Sequence, residues 1–347
     1  RDYMFAAMGR FDYTPKDCFN FHDAIAQEIV PIINSFEKRR KEKLGNTSYK
    51  PWDTAVDVDG LSPLKPFEGG TELTDLSVEC FNRLRPYFGK SLATMKAMKH
   101  LDLESKNGKA PGGFMYPLHE IGVPFIYMNA VGSQRDVVTM VHEGGHAVHS
   151  FLSRNLSLIG FKSTPSEVAE LASMAMELLS MDHWDVFYAD AADLKRAKLE
   201  QLEKVLETLP WVASIDKFQH WIYTNKHTAQ QRKEKWLEIS SELGNQIIDW
   251  EGNENVHANL WQKQLHLYEV PFYYIEYGIA QLGAIAMWRS YKQLGKQGLD
   301  NYIDALKLGY TKTIGEIYET AGIKFDFSTS YVKELVNFIK KELEELS

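Results

Sequence analysis

His142 and His146 stand four residues apart with Glu143 between them, in the run Val141-His142-Glu143-Gly144-Gly145-His146-Ala147-Val148-His149. On a helix, residues four apart stack on one face. Two imidazoles at that spacing can hold one Zn²⁺, and the intervening Glu can act as base toward a water that the metal activates. The plainer reading is a solvated helix that happens to carry two His. Chance produces the five-residue pattern in about 2 in 100 chains of this length and composition. The motif therefore needs support from what surrounds it.

Those two imidazoles need a helix to carry them and a third ligand to complete a site. Gly132-Ser133 opens the helix. Val137, Val141, Val148 and Phe151 mark its buried face, and His142, His146 and His149 lie on another at i, i+4, i+7. His149 is too far along to complete a site with the other two and reads as structural or as a residue supporting the ligands from behind. Gly144 and Gly145 each cost about 1 kcal/mol relative to Ala in a helix interior. Close approach of another element to the ligand face is one reason to carry them; drift is another. Thr164-Pro165-Ser166-Glu167 then fits a capping box, with Thr164 as N-cap, Pro165 at N1 and Glu167 at N3. Glu167 thus has a capping role, while Glu170 one turn on has none. Glu170, Ser173 and Glu177 share a face at i, i+3, i+7, opposite Val168, Leu171, Ala175, Leu178 and Leu179. Carboxylates there, soon after two His, suit a His₂Glu catalytic zinc site. The plain alternative for Glu170 is a solvated helix face.

Upstream, Phe21 to Leu44 reads as one helix with Gly45 as its stop. Residues 46–71 form a Pro/Gly-rich connection. Helical patterns resume near Leu73 and run, with a break at Pro86, to about Leu101. Gly108, Pro111, Gly112 and Gly113 then punctuate a loop. Phe114-Met115-Tyr116 and Val123-Pro124-Phe125-Ile126-Tyr127-Met128-Asn129 read as short strands. Pro124 marks the second as an edge strand, where an extended peptide could pair; a small structural hairpin fits the pattern equally well. Downstream the chain reads as helical. A helix over 190–209 ends at Pro210, and Thr228-Ala229-Gln230-Gln231 caps another that stops near Gly244. A helix covers 253–265. Pro271 sits in the first turn of a helix carrying Tyr273, Tyr274 and Tyr277 to about Leu294. Helices near 298–309, 313–321 and 329–346 follow, with Gly322 a stop for the second.

The 347 residues are 44% hydrophobic, ample for one large or two modest domains. With 39 basic against 47 acidic residues the net charge is −8. No basic stripe stands out beyond Lys38-Arg39-Arg40-Lys41, so nucleic acid is not an expected partner. Cys18 and Cys80, the only cysteines, are too few for a disulfide framework and fit a reducing, cytoplasmic setting. No apolar run reaches about 18 residues, so no membrane span is expected.

His142 to His149, followed by Ala169-Glu170-Leu171-Ala172-Ser173-Met174-Ala175-Met176-Glu177, resembles the thimet oligopeptidase and oligoendopeptidase F family of zinc peptidases, most closely its oligoendopeptidase F branch. In that family the third ligand opens a Glu-x-x-Ser-x-x-x-Glu pattern, which Glu170, Ser173 and Glu177 reproduce. His266-Leu267-Tyr268 and Phe272-Tyr273-Tyr274-Ile275-Glu276-Tyr277 resemble its His-and-Tyr segment near the substrate, and Pro124 to Asn129 its substrate-side strand. The likeness runs over nearly all of the chain. It implies a mainly α fold with a small β-sheet, a zincin catalytic domain of the neurolysin and thimet oligopeptidase type with a helical channel. The active-site core falls at 107–180. The chain is expected to be a fragment lacking the family's N-terminal helical region.

The implied activity is zinc-dependent hydrolysis of internal bonds in short unfolded peptides. One Zn²⁺ per chain is held by His142, His146 and Glu170, with Glu143 as base and His266 and Tyr277 serving the oxyanion. Tyr268, Tyr273, Tyr274, Asn129 and Gly113 are the substrate-side candidates, the roles of the first three being open. Without the resemblance, Tyr277 is a core aromatic and His266 a satisfied core His. A zinc hydrolase of another small substrate and a non-catalytic peptide-binding relative are the alternatives. The edge-strand segment discriminates against the first, and an intact Glu143 with all three ligands against the second. The oligomeric state is not legible.

Overall fold

The computed structural model describes residues 1–346. Helices α1 (Asp2–Ala7), α2 (Pro15–Glu28), α3 (Val30–Leu44), α4 (Gly69–Leu84) and α5 (Pro86–Ala97) precede three strands, β1 (Leu101–Glu104), β2 (Gly113–Tyr116) and β3 (Phe125–Ala130). Then come α6 (Gln134–Ser153), α7 (Ile159–Lys162), α8 (Ser166–Leu179), α9 (Ala191–Thr224), α10 (Ala229–Leu243) and α11 (Glu254–Ala258). The chain ends with α12 (His266–Glu269), α13 (Ile275–Leu294), α14 (Lys296–Lys307), α15 (Ile314–Thr320) and α16 (Thr329–Leu346). The fold is mainly α with one small sheet, as expected. No helix among the described residues is long and apolar enough to cross a membrane.

Two compact units divide the chain. The first is Arg1–Ser62, Leu202–Ile279 and Asp326–Lys341; the second is Pro63–Gln201, Ala280–Phe325 and the stretch from Glu342 onward. Three of the five boundaries fall inside helices, in α9, α13 and α16, and the other two, at Ser62/Pro63 and Phe325/Asp326, fall between elements.

In the first unit, the single helix expected over Phe21–Leu44 is two. The break at Ile29 follows from Pro31, which has no N–H for the carbonyl one turn back and whose ring crowds it. The first of the pair starts earlier than read, because Thr14 and Asp17 form a capping box, with the Thr14 amide donating to Asp17 Oδ2 at 2.8 Å. Gly45 ends α3 in the left-handed conformation at φ 67°, as its placement implies. Pro210 does not end a helix: α9 runs through it. A proline inside a helix costs about 3 kcal/mol. Leu206, Leu209, Val212 and Ala213 beside it are fully buried, and each buried Leu or Val returns about 1.5–3 kcal/mol. The expected helix over 253–265 is α11 followed by a 3₁₀ turn at Leu260–Lys263. Pro271 lies in a turn between α12 and α13 rather than in a helix; Phe272 beside it has φ 64° and is fully buried. Burial of the Phe272 ring holds a conformation that its backbone alone disfavours.

In the second unit the sheet has the order β1-β3-β2. β3 pairs parallel with β1 (Leu101 with Ile126) and antiparallel with β2 (Phe114 with Tyr127). β3 is therefore the central strand, and the edge-strand reading of Pro124 is corrected: Pro124 precedes β3 and takes no ladder position. β2 is the edge that lies against α6. β1, read as the end of a helix, is a strand because Lys99 turns left-handed at φ 59° and stops α5. Pro86 separates α4 from α5 and Gly322, at φ 72°, follows α15, both as read.

Candidate functional site

α6 carries the motif. Ser133 caps it, accepting from the Asp136 amide at 3.3 Å while the Asp136 carboxylate accepts from the Ser133 and Val131 amides at 2.9 and 3.0 Å. Val137, Met140, Val141, Ala147 and Val148 are fully buried and fix its rotation. That rotation leaves the imidazoles of His142 and His146 side by side, with ring centroids 4.9 Å apart.

α8 delivers the carboxylate because Gly145 lets it come close, while Gly144 makes room for α4. A Cβ on Gly145 would lie 2.7 Å from both the Ala172 carbonyl oxygen and Ser173 Cα. A Cβ on Gly144 would lie 2.6 Å from the Phe81 ring on α4. Of the two explanations for the glycine pair, close approach is the one found. The capping box read at Thr164 is absent: Pro165 is the N-cap, with no side-chain cap bond, so the helix starts one residue late for Glu167 to occupy N3. The capping role that set Glu167 apart from Glu170 is thus withdrawn, and geometry now separates them. Nor is the carboxylate face of α8 solvated; Glu170 is 8% exposed and Ser173 not at all.

Glu170 Oε2 lies 3.3 Å from His142 Nε2 and 3.7 Å from His146 Nε2. One donor atom from each of the three residues falls within 4.8 Å of the other two. Zinc bonds of about 2.0–2.1 Å at tetrahedral angles put two ligand atoms about 3.3 Å apart. Two imidazoles and a carboxylate with that spacing fit Zn²⁺.

The ligand atoms are oriented from behind. His142 donates through Nδ1 to Glu177 Oε1 at 2.6 Å, leaving Nε2 for the site. Gln201 Nε2 in turn donates to Glu177 Oε2 at 2.7 Å, and Ser173 Oγ donates to Glu170 Oε2 at 2.9 Å. Gln201 was not found by spacing, since it comes from α9 and no local pattern links it to α8. Burial opposes charge on His142, yet Glu170 and Glu177 at its two nitrogens raise its pKa well above the usual value. Burial alone would raise Glu170, but His142, His146 and Ser173 hold it down at about 2. Burial pushes His146 down to about 4, keeping it neutral. Glu143 is 6% exposed. Burial lifts its carboxyl to about 7, with His142 and the Met115 backbone acting the other way and Glu170 adding to the rise.

Gly113 and Met115 of β2 face α6. A Cβ on Gly113 would lie 2.8 Å from Thr139 Cγ2, so glycine permits the close seat of this strand. Phe114 and Tyr116, alternating with them, are exposed. Asn129 is on the opposite face of β3 from Met128, and its Nδ2 donates to the Lys109 carbonyl at 3.1 Å.

His266 and Tyr277 belong to the first unit. There Tyr277 Oη and His266 Nε2 are 3.5 Å apart. The His266 ring lies among Tyr273, Tyr274 and Tyr277, with centroids 5.8, 5.0 and 5.7 Å away. Tyr268 is largely exposed and stacks 6.2 Å from Trp261. Gln264, unmarked in the sequence, donates to His266 Nδ1 at 2.6 Å and accepts from Trp211 Nε1 at 2.9 Å. Burial lowers the pKa of His266, so it stays neutral with its proton on Nε2.

Comparison with known proteins bears on the family and the fold. The family description that matches is Peptidase family M3, over residues 1–337. An oligoendopeptidase F homolog of Borreliella burgdorferi is 23% identical over 328 residues, covering 92% of this chain and 54% of that protein. Oligoendopeptidase F (plasmid) of Lactococcus lactis subsp. cremoris is 21% identical over 342 residues, 96% of this chain and 55% of its own length. The chain thus spans about half the length of the curated relatives it matches. Among solved structures, PZ peptidase A superposes with a TM-score of 0.91 at 27% identity, over 99% of this chain and 61% of that one. Oligoendopeptidase F from Enterococcus faecium superposes with a TM-score of 0.66 at 15% identity, over 99% and 54%, a likeness of fold. With the match running over nearly its whole length, the chain belongs to peptidase family M3.

Proposed function

We propose that this chain carries the catalytic site of a zinc-dependent oligoendopeptidase that hydrolyses internal bonds of short, unfolded peptides. The observation behind this reading is the convergence of His142, His146 and Glu170 donor atoms within 4.8 Å, beside a buried Glu143. One Zn²⁺ per chain, when bound there, supplies Lewis acidity toward a scissile carbonyl and lowers the pKa of water. Glu143 accepts the proton of the attacking water on a carboxylate oxygen and returns it to the leaving amine. Glu177 and Gln201 keep Nε2 of His142 turned toward Glu170. The free edge of β2 offers backbone groups to an extended peptide, taking the part first read for β3. His266, with its proton on Nε2, and Tyr277 donate to the developing oxyanion. Tyr268, Tyr273 and Tyr274 contact substrate in this reading, with Gly113 and Asn129 shaping the strand side.

The test pairs metal content with turnover of quenched peptides of increasing length. One zinc at the site of His142, His146 and Glu170 and cleavage of the shorter peptides are expected. Turnover that survives both Glu143→Gln and chelation would overturn the reading.

A further inference from the structure

A second set of donors lies wholly within the first unit. Cys18 and His22 are spaced i, i+4 on α2, and Asp216 and His220 are spaced i, i+4 on α9. At that spacing each helix presents two side chains on one face. All four residues are buried. One donor atom from each of Cys18, Asp216 and His220 lies within 4.8 Å of the other two. The rings of Phe5, Phe19 and Phe272 pack 5.5, 4.9 and 5.0 Å from the His220 ring and wall the cluster.

We propose that Cys18, Asp216 and His220 bind a divalent cation of borderline softness, Zn²⁺ by preference, at a structural site separate from the His142 site. His22 holds the carboxylate from behind: its Nε2 donates to Asp216 Oδ2 at 2.8 Å.

Three observations carry this. The first is an unfilled demand for partners. Asp216 Oδ1, His220 Nδ1 and Nε2, and His22 Nδ1 are buried without hydrogen bonds, whereas buried polar atoms are nearly always paired. A cation takes up His220 Nε2 and a carboxylate oxygen together. The second is distance. His220 Nε2 stands 3.4 Å from Asp216 Oδ2. That is long for a hydrogen bond and close to the roughly 3.3 Å between two ligands of one tetrahedral zinc. The same chain shows this spacing at His142 and Glu170, 3.3 Å apart. The third is charge. Thiolate, carboxylate and a divalent cation sum to zero, which suits a buried site. Thiol, imidazole and carboxylate together select zinc-like ions over Mg²⁺ or Ca²⁺. Burial on every side leaves no route for substrate, so the role is to tie α2 to α9.

Cobalt separates the two sites, because His142, His146 and Glu170 offer no sulfur. The full chain is stripped with chelator and titrated with Co²⁺ or Zn²⁺. Two equivalents per chain are expected, with near-ultraviolet thiolate-to-cobalt absorption. His142→Ala/His146→Ala should keep one equivalent and the band. Cys18→Ser should abolish the band, as should His220→Ala, while Cys80→Ser leaves it. Should the double variant fail to fold, the band in Cys80→Ser still reports on Cys18 alone. A single equivalent without the band, or a band that survives Cys18→Ser, overturns the proposal.

Discussion

Glu143 is held between a helix that exposes little of it and a backbone amide at Met115, and burial keeps its carboxyl near neutrality. Glu143→Gln preserves size but removes the ability to take a proton. The expected outcome is retained metal with kcat reduced by at least about 10²-fold; near-parental cleavage places the base elsewhere. Glu170 and Glu167 make a sharper pair. Both are buried on α8, but only Glu170 points its carboxylate at the two imidazoles. Glu170→Ala should lose most of the zinc of that site, and Glu167→Ala should keep it; metal analysis showing the reverse would exchange their roles. In the other unit, Tyr277→Phe removes one proposed oxyanion donor. A fall in kcat of about 10²–10³ with little change in KM is expected. An effect on KM alone makes Tyr277 a substrate contact.

At the scale of elements, the site depends on how near α8 can come to α6. Gly145→Ala gains about 1 kcal/mol of helix propensity. Its Cβ, however, would meet backbone at 2.7 Å, which cannot swing aside as a side chain can. Overpacking of this kind costs about 1–3 kcal/mol. The expected result is net destabilisation in denaturant titration together with weaker zinc binding, as α8 is pushed from α6. A variant as stable as the parent with unchanged metal affinity would show that the helices have slack. The glycine pair shows how much of this was legible. Two costly glycines in a helix raised close approach beside drift, but the sequence decided neither between them nor which element approached. The i, i+4 spacing of His142 and His146 and the Glu170, Ser173, Glu177 face were readable because they are local. Gln201 was not, since it acts through a fold contact that leaves no periodic mark, and Gln264, though only two residues from His266, lies in a non-periodic stretch between short helical turns. Proline misled in both directions. Pro31 broke a helix where apolar spacing ran on, and Pro210 failed to break one because the burial around it outweighs the lost bond. Pro124 suggested an edge, yet it lies just before the strand, and pairing on both sides of β3 is a tertiary fact.

Stability against pH belongs to the whole chain, and buried groups in this one pull it in opposite directions. His149 sits on α6 with its Nε2 buried and unpartnered, and burial, with His146 adding, pushes its pKa down to about 3. Burial lowers His22 in the first unit as well, against the pull of Asp216. For such a group the folded state stays neutral while the unfolded chain takes a proton below pH about 6.5. Its contribution is therefore present above that pH and is lost progressively as pH falls toward the folded value. For His149 the loss between pH 7 and pH 5 comes to about 2 kcal/mol. Glu143 runs the other way. Its folded pKa of about 7 exceeds the unfolded value, so the native state gains relative stability as pH falls from 7 toward 4.5. The two oppose each other across this window, with His146 and His22 acting in the same direction as His149, so a melting curve of the parent alone does not separate them. Substitution separates them. In chelator-treated protein, His149→Asn should remove the His149 contribution and leave that of Glu143. Its stability relative to the parent should then improve by about 2 kcal/mol on going from pH 7 to pH 5, read from denaturant midpoints at both values. If the difference between variant and parent is the same at pH 7 and pH 5, His149 is protonated alike in the folded and unfolded chain, and its burial is not what sets its charge.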